Sequence, residues 1–368
     1  MLPGVEVGGA GGELAALGQV RGRPARAALS GLSATEVNGS PTVSNGGTMV
    51  SSHPVVTRRT LLGTAALAAL AGCGKGPTAA APHPSPTTAT AQTTPPPTTA
   101  APTATVSGRH DRLARLEREF DARLGVYALA TGTGAVVAHR ADERFAFCST
   151  FKGLAAAAVL DRNPLSHLDT VVRYGSGDLL DNAVIARRNV GKGMTIRQLC
   201  DAAVRHSDGT AGNLLLRDLG GPAELTAYVR SLGDTVTRMD RTEPAITQAT
   251  PGDPRDTTSP RAFGTNYQKI VLGDALPPEK RDFLRDLLER NATSVAPKRV
   301  RAGVPKGWRV ADKTGTGSYG TINDIAVVWP PDSAPLVVAI MSSKASRNAE
   351  YQQALIAEAA AYVVATLT

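Results

Sequence analysis

The sequence predicts an α/β (α+β) fold: a sheet built from both ends of a domain, with an all-helical part inserted between them. Three observations carry this. Short apolar runs with a "GTG" break stand near the start of the domain, as "GVYALAT" and "AVVAHR". Three more apolar runs, "WRVADKTG", "NDIAVVWPP" and "PLVVAIMSS", stand near its end. Between them the apolar residues recur mostly at helical spacing.

The elements follow in order. "RLARLEREFDARL" (Arg112–Leu124) has helical apolar spacing with i, i+4 charge pairs and predicts a helix. "GVYALAT" and "AVVAHR" predict a β-hairpin. "CSTFKGLAAAAVL" (Cys148–Leu160) reads as the start of a buried helix, and helical segments continue to about Leu232. Asp240–Ser259 is rich in Pro, Asp and Thr and has no periodicity. A loop of that length inside a compact domain is usually functional or disordered. Helices resume in "NYQKIVLG" and "PPEKRDFLRDLLERN". Three strands and a closing helix, Tyr351–Thr368, complete the domain, which is expected to span 109–368.

The front of the 368-residue chain has a different character. Arg58 and Arg59 precede a 13-residue apolar stretch, Leu61–Cys73, that ends in "LAGC". This is too short to span a bilayer and has the length of a signal core. Residues 49–73 are therefore expected to be a twin-arginine lipoprotein signal, with Cys73 the lipidated residue. Such a signal belongs at a terminus, so Met49 is expected to be the true start and residues 1–48 a non-native extension. Residues 74–108 are almost wholly Pro, Thr and Ala, with eight prolines. They cannot bury enough apolar surface to fold and should form a tether. These features imply an exported protein held at a membrane through its lipid.

The remaining domain has 34 basic and 29 acidic residues and no long basic run, which argues against nucleic-acid binding. The six histidines are scattered, and none pairs with Cys or Glu at ligand intervals. No metal or cofactor is expected. Cys148 and Cys200 read as free buried thiols.

Ser149 raises the question of function. A serine at a helix start usually caps the first turn, with Glu or Gln three places on. Here that place holds Lys152, whose charge faces the positive end of the helix dipole. The pair reads either as an imperfect cap or as a nucleophile with its base. Residues i and i+3 share a helix face, so the lysine can reach the hydroxyl. Burial and the dipole would both lower its pKa.

Two further motifs stand downstream: Ser207-Asp208-Gly209 and Lys313-Thr314-Gly315, followed by Thr316. In this order, S-x-x-K, SDG and KTG resemble the penicillin-recognising serine enzymes, the penicillin-binding proteins and serine β-lactamases. "RTEPAITQATPGDPRD" (Arg241–Asp256) resembles the Ω-loop of class A β-lactamases. "LPPEKRDFL", "DKTGTGSYG" and "NDIAVVW" look like the actinobacterial members. The resemblance covers about 109–368 and implies an antiparallel sheet flanked by helices, monomeric β-lactam hydrolysis, and antibiotic resistance. The alternative is a DD-peptidase-like penicillin-binding protein acting on cell-wall peptides.

The resemblance also implies roles. Ser149 would be the acylated nucleophile, with the acylating base open between Lys152 and Glu243 acting through water. Ser207 would relay a proton to the lactam nitrogen. Lys313, Thr314, Gly315, Thr316 and Arg299 would bind substrate, Arg299 its carboxylate, because the usual arginine position reads Ile322. The backbone N–H groups of Ser149 and Thr316 would form the oxyanion hole. Glu243 would direct the hydrolytic water, Thr247 would help position it, and Arg241–Asp256 would pin the loop ends. Two residues depart from the pattern: Gly209 and Thr247 both replace the usual Asn.

Overall fold

The computed structural model describes residues 110–293 and 298–368. The expected leader, Cys73 and tether lie outside these residues. No helix among the described residues is long and apolar enough to cross a membrane.

Helix α1 (Asp111–Glu119) leads into strands β1 (Arg123–Ala130) and β2 (Val136–His139). The helix is shorter than its periodicity predicts. Asp121 adopts a φ of 44°, the chain reverses, and Leu124 enters β1 opposite Ser342. Apolar spacing alone does not distinguish a helix from a helix whose last apolar residue belongs to the next strand.

The short strand β3 (Phe145–Ala146) precedes a single 3-10 turn, Cys148–Thr150, and helix α2 (Phe151–Arg162). Ser149 thus lies in the turn before the helix. Thr150, at the cap position, spends its hydroxyl on the Phe147 carbonyl and caps nothing. Next come strands β4 (Val171–Val172) and β5 (Met194–Thr195), which pair with each other. Helices α3 (Ile196–Arg205), α4 (Gly209–Leu219) and α5 (Pro222–Ser231) follow. A Thr195–Gln198 capping box starts α3, and the Asp208 carboxylate caps α4 at Ala211 N. Strand β6 (Thr257–Thr258) closes the long loop by pairing with β3. Helices α6 (Pro260–Val271), α7 (Pro278–Glu289) and α8 (Val300–Gly303) lead to strands β7 (Arg309–Thr316), β8 (Ile322–Trp329) and β9 (Leu336–Ser343), then helix α9 (Gln353–Leu367).

The main sheet has the order β2-β1-β9-β8-β7, antiparallel throughout. Its central strands are apolar on both faces because both faces are covered. Val338, Ile340 and Ala326 pack with Leu113, Leu116, Ile356 and Val363 of the terminal helices. Ala339, Met341, Ile325 and Val327 pack with Phe263 and Tyr267 of α6 on the other side. Both termini of the domain therefore build the sheet and one of its covering layers, as the sequence predicts.

Helix α2 is buried from Phe151 to Leu160, leaving only its last two residues exposed. A helix that is apolar all round belongs inside a protein. Its four consecutive alanines let α3, α4, α5, α6 and α7 crowd around it. Lys152 is the exception within this apolar shell, and it is fully buried.

Candidate active site

The turn that carries Ser149 is clamped from three directions. Asn323 of β8 donates to the carbonyls of Ala146 and Phe147, at 2.9 and 3.2 Å. The Tyr267 hydroxyl donates to Thr150 O at 2.8 Å. Phe147 N donates to Asp256 O in the long loop at 3.2 Å. Strand β7 passes so close that a Cβ on Gly315 would lie 2.8 Å from Phe147 O. Only glycine permits that approach, and it brings the KTG segment against the turn. Cys148 is buried, and burial pushes its thiol up to about 12, so it stays neutral beside the serine. Cys148 and Cys200 are both free, as expected.

Lys152 Nζ lies 3.0 Å from Ser149 Oγ, 2.7 Å from Ser207 O and 2.7 Å from Glu243 Oε1. These three acceptors can take the three ammonium protons. Gly212 of α4 makes room for the side chain, since a Cβ there would stand 2.7 Å from Lys152 Cε. Burial lowers the lysine pKa below its ordinary value, although the Glu243 carboxylate pulls the other way. Ser149 Oγ donates to Glu243 Oε1 at 2.9 Å. For Glu243, burial raises the pKa, but Lys152, Asn182 and Ser149 together hold it below the usual carboxylate value. An anionic glutamate and a lysine thus meet at the serine hydroxyl.

Ser207 lies between α3 and α4 with a φ of 55°, and Lys313 Nζ donates to its Oγ at 3.0 Å. Lys313 is fully buried, and burial with the nearby Lys152 charge drives its pKa well below that of a free lysine. Glu243 itself is held at the backbone by Asn213, whose Oδ1 accepts from Glu243 N at 3.0 Å and whose Nδ2 donates to Glu243 O at 2.8 Å. The loop ends are joined as expected. Asp256 is buried and accepts from Arg241 Nε at 2.5 Å and from the N–H groups of Asp240 and Arg241 at 2.8 and 2.9 Å.

The cleft in front of Ser149 has a volume of about 1190 Å³ and is lined by Ser207, Thr314, Gly315, Thr316 and Arg299 among others. Both arginines before β7 border this cleft, with different partners. Arg301 is bound to Asp312 and to carbonyls of α7 and β7, so it braces the sheet edge. Arg299 is buried and donates to Gly315 O, Asn323 O and Gln353 Oε1. Among the described residues, its Nη2 has no hydrogen bond. Thr247 lies on the cleft wall, but its hydroxyl donates to Pro244 O at 2.7 Å and makes no hydrogen bond with Glu243 among the described residues.

Asn182 is the group that does meet Glu243. Its Nδ2 donates to Glu243 Oε2 at 2.9 Å. No motif marks Asn182 in "LLDNAVIARR". Asn213 had a weak signal, because an asparagine inside an otherwise apolar helix is unfavourable unless its amide has a use.

A buried serine, lysine and glutamate before a wide cleft, on an antiparallel sheet with an inserted helical part, define a serine acyl-enzyme hydrolase. Residues 109–367 match the sequence model of the β-lactamase enzyme family, and the chain belongs to that family, in its class A, actinobacterial type. It is 57% identical over 263 residues to a β-lactamase of Mycobacterium tuberculosis, covering 70% of this chain and 85% of that one. A β-lactamase of Amycolatopsis lactamdurans is 54% identical over 253 residues, covering 69% and 83%. Among solved structures, the β-lactamase from Streptomyces albus G aligns with a TM-score of 0.68 at 46% identity, covering 70% of this chain and 98% of that one.

Asp256→Ala removes the buried carboxylate that Arg241, itself only half-buried, is paired with, and orphans two N–H groups. It should cost about 1–3 kcal/mol, read as a lower midpoint of urea unfolding. An unchanged midpoint would mean the loop ends are held by other contacts.

Proposed function

We propose that this protein hydrolyses β-lactam antibiotics through a Ser149 acyl-enzyme and so confers resistance to them. The observation that carries the reading is the contact of Ser149 Oγ with both Glu243 Oε1 and Lys152 Nζ. Ser149 Oγ attacks the lactam carbonyl carbon. Its proton passes to the Lys152–Glu243 pair, the C–N bond breaks, and the nitrogen gains a proton through Ser207. The backbone N–H groups of Ser149 and Thr316 hold the developing oxyanion. Water then adds to the ester with Glu243 as base, releasing product and free Ser149. Lys313 and Arg299 attract the substrate carboxylate, and Thr314 and Gly315 form the strand edge along which it lies. The Glu243 carboxylate at the serine supports turnover and disfavours the penicillin-binding alternative, in which the acyl-enzyme persists.

The pH profile follows from the two groups. Glu243 acts ionised and its pKa is lowered, so activity is lost only as pH falls below the usual glutamate value, roughly 4.3. Lys313 acts charged and its pKa is lowered, so affinity is lost as pH rises, before the usual lysine value of roughly 10.4. Steady-state hydrolysis of a chromogenic cephalosporin should give a bell with the alkaline limb in KM. A single burst without turnover would contradict the hydrolase reading.

We also propose that the protein is exported by way of Arg58-Arg59 and anchored through Cys73. The charge, length and small-residue end of 58–73 support this. A monomer is supported by the few large apolar side chains exposed among the described residues, Val171, Val184 and Tyr351. Cys73→Ala should move the protein from the membrane fraction to the soluble one; unchanged membrane association would contradict a lipid anchor.

A further inference from the structure

We propose that Asn182 is a positioning residue for Glu243: its amide fixes the outer carboxylate oxygen and occupies the space that a side chain at position 209 would take. The inference rests on the hydrolase reading above and extends it to a residue outside the three motifs and the long loop.

Geometry is the first argument. Glu243 Oε1 is engaged by Ser149 and Lys152, while Oε2 accepts from Asn182 Nδ2 at 2.9 Å. Without that bond the carboxylate could rotate about its last torsion, and terminal sp³–sp² torsions are broad. A base that activates water must present a fixed lone pair.

The second argument is steric. A Cβ on Gly209 would lie 2.2 Å from Asn182 Oδ1 and 2.4 Å from Glu243 Oε2. Real Cβ atoms do not approach so closely, so Asn182 in this position requires glycine at 209. The missing side chain of the second motif and the amide from the neighbouring loop are complementary.

The third argument is that the loop is held in place. Asp208 Oδ2 accepts from Ile185 N and Ala186 N at 2.8 and 2.9 Å. Thr210 Oγ1 accepts from Leu180 N at 2.9 Å and donates to Asp178 O at 3.1 Å. Tyr174 donates to Ala186 O at 2.7 Å. Both residues flanking Gly209 thus grip the segment on either side of Asn182. An exposed turn residue has been given a defined place over the site.

The charged groups that face Glu243 are Lys152 of α2 and Lys313 of β7, while Asp208 at the head of α4 acts on Lys152. Only Lys152 and Lys313 are cationic, and neither is altered by a change at 182. The hydrogen bond from Asn182 is one of the contacts that keep Glu243 ionised.

Two variants test the proposal, Asn182→Ala and Asn182→Asp, each first checked for an unchanged thermal midpoint. In the free protein, a ¹³C NMR titration of the Glu243 carboxyl should show its pKa raised in Asn182→Ala and raised further in Asn182→Asp, which sets a second carboxylate beside it. This readout needs no substrate, so it stands even if β-lactam turnover fails. With a chromogenic cephalosporin, kcat should fall about 10- to 100-fold in Asn182→Ala, as for loss of a hydrogen bond to a charged group. The rate of forming the Ser149 adduct should fall less than the deacylation rate, because Oε1 keeps its contacts with Ser149 and Lys152. A Glu243 titration and a deacylation rate equal to wild type in both variants would overturn the proposal.

Discussion

The buried contact between Lys152 and Glu243 organises this molecule. Two ionised groups taken out of water cost more than their attraction repays unless other hydrogen bonds satisfy them. Here each one has such partners. The lysine donates to Ser149 and Ser207, and the glutamate accepts from Ser149 and Asn182. The pair joins α2, at the centre of the helical part, to a loop almost a hundred residues away in sequence. Much of the neighbouring architecture serves that join. Asn213 fixes the glutamate backbone, Asp256 draws the loop ends together, and Gly212 clears a channel for the lysine stem.

The surrounding backbone carries the cost. Cys148, Ser207, Ala249, Asp256 and Arg299 all adopt positive φ without being glycine, and all lie in or beside the cleft or its loop. Such conformations cost on the order of 1–3 kcal/mol each and persist only where packing over-determines them. Around Ser149 the packing does so, through Asn323, Tyr267 and the close passage of Gly315. The rigid sheet and the helical part together impose a geometry that neither turn would adopt alone.

Much of this was legible in the sequence. The closing strands and the fully apolar α2 followed from pattern, and Ser149, Lys152 and Glu243 from motif. The puzzle of a lysine in a first turn resolves into a lysine whose charge is met by three acceptors. Other parts were hidden for physical reasons. The end of α1 is hidden because Leu124 continues the helical spacing while belonging to β1. Asn182 could not be found by motif, because its place depends on the folding of Asp208 and Thr210 around its loop. Arg299 and Arg301 look equivalent in "PKRVRAG" and both border the cleft, but only the fold binds Arg301 to Asp312 and Arg299 to Gly315 O and Asn323 O.

The central claim is that Ser149 is acylated and that Glu243 frees it. Intact-mass spectrometry of Glu243→Gln after mixing with a penicillin tests it directly, because glutamine keeps the shape and removes the base. The account predicts one long-lived adduct mapped to Ser149, with no such accumulation in the unaltered protein. Rapid turnover by Glu243→Gln without an adduct, or an adduct on another residue, would contradict it.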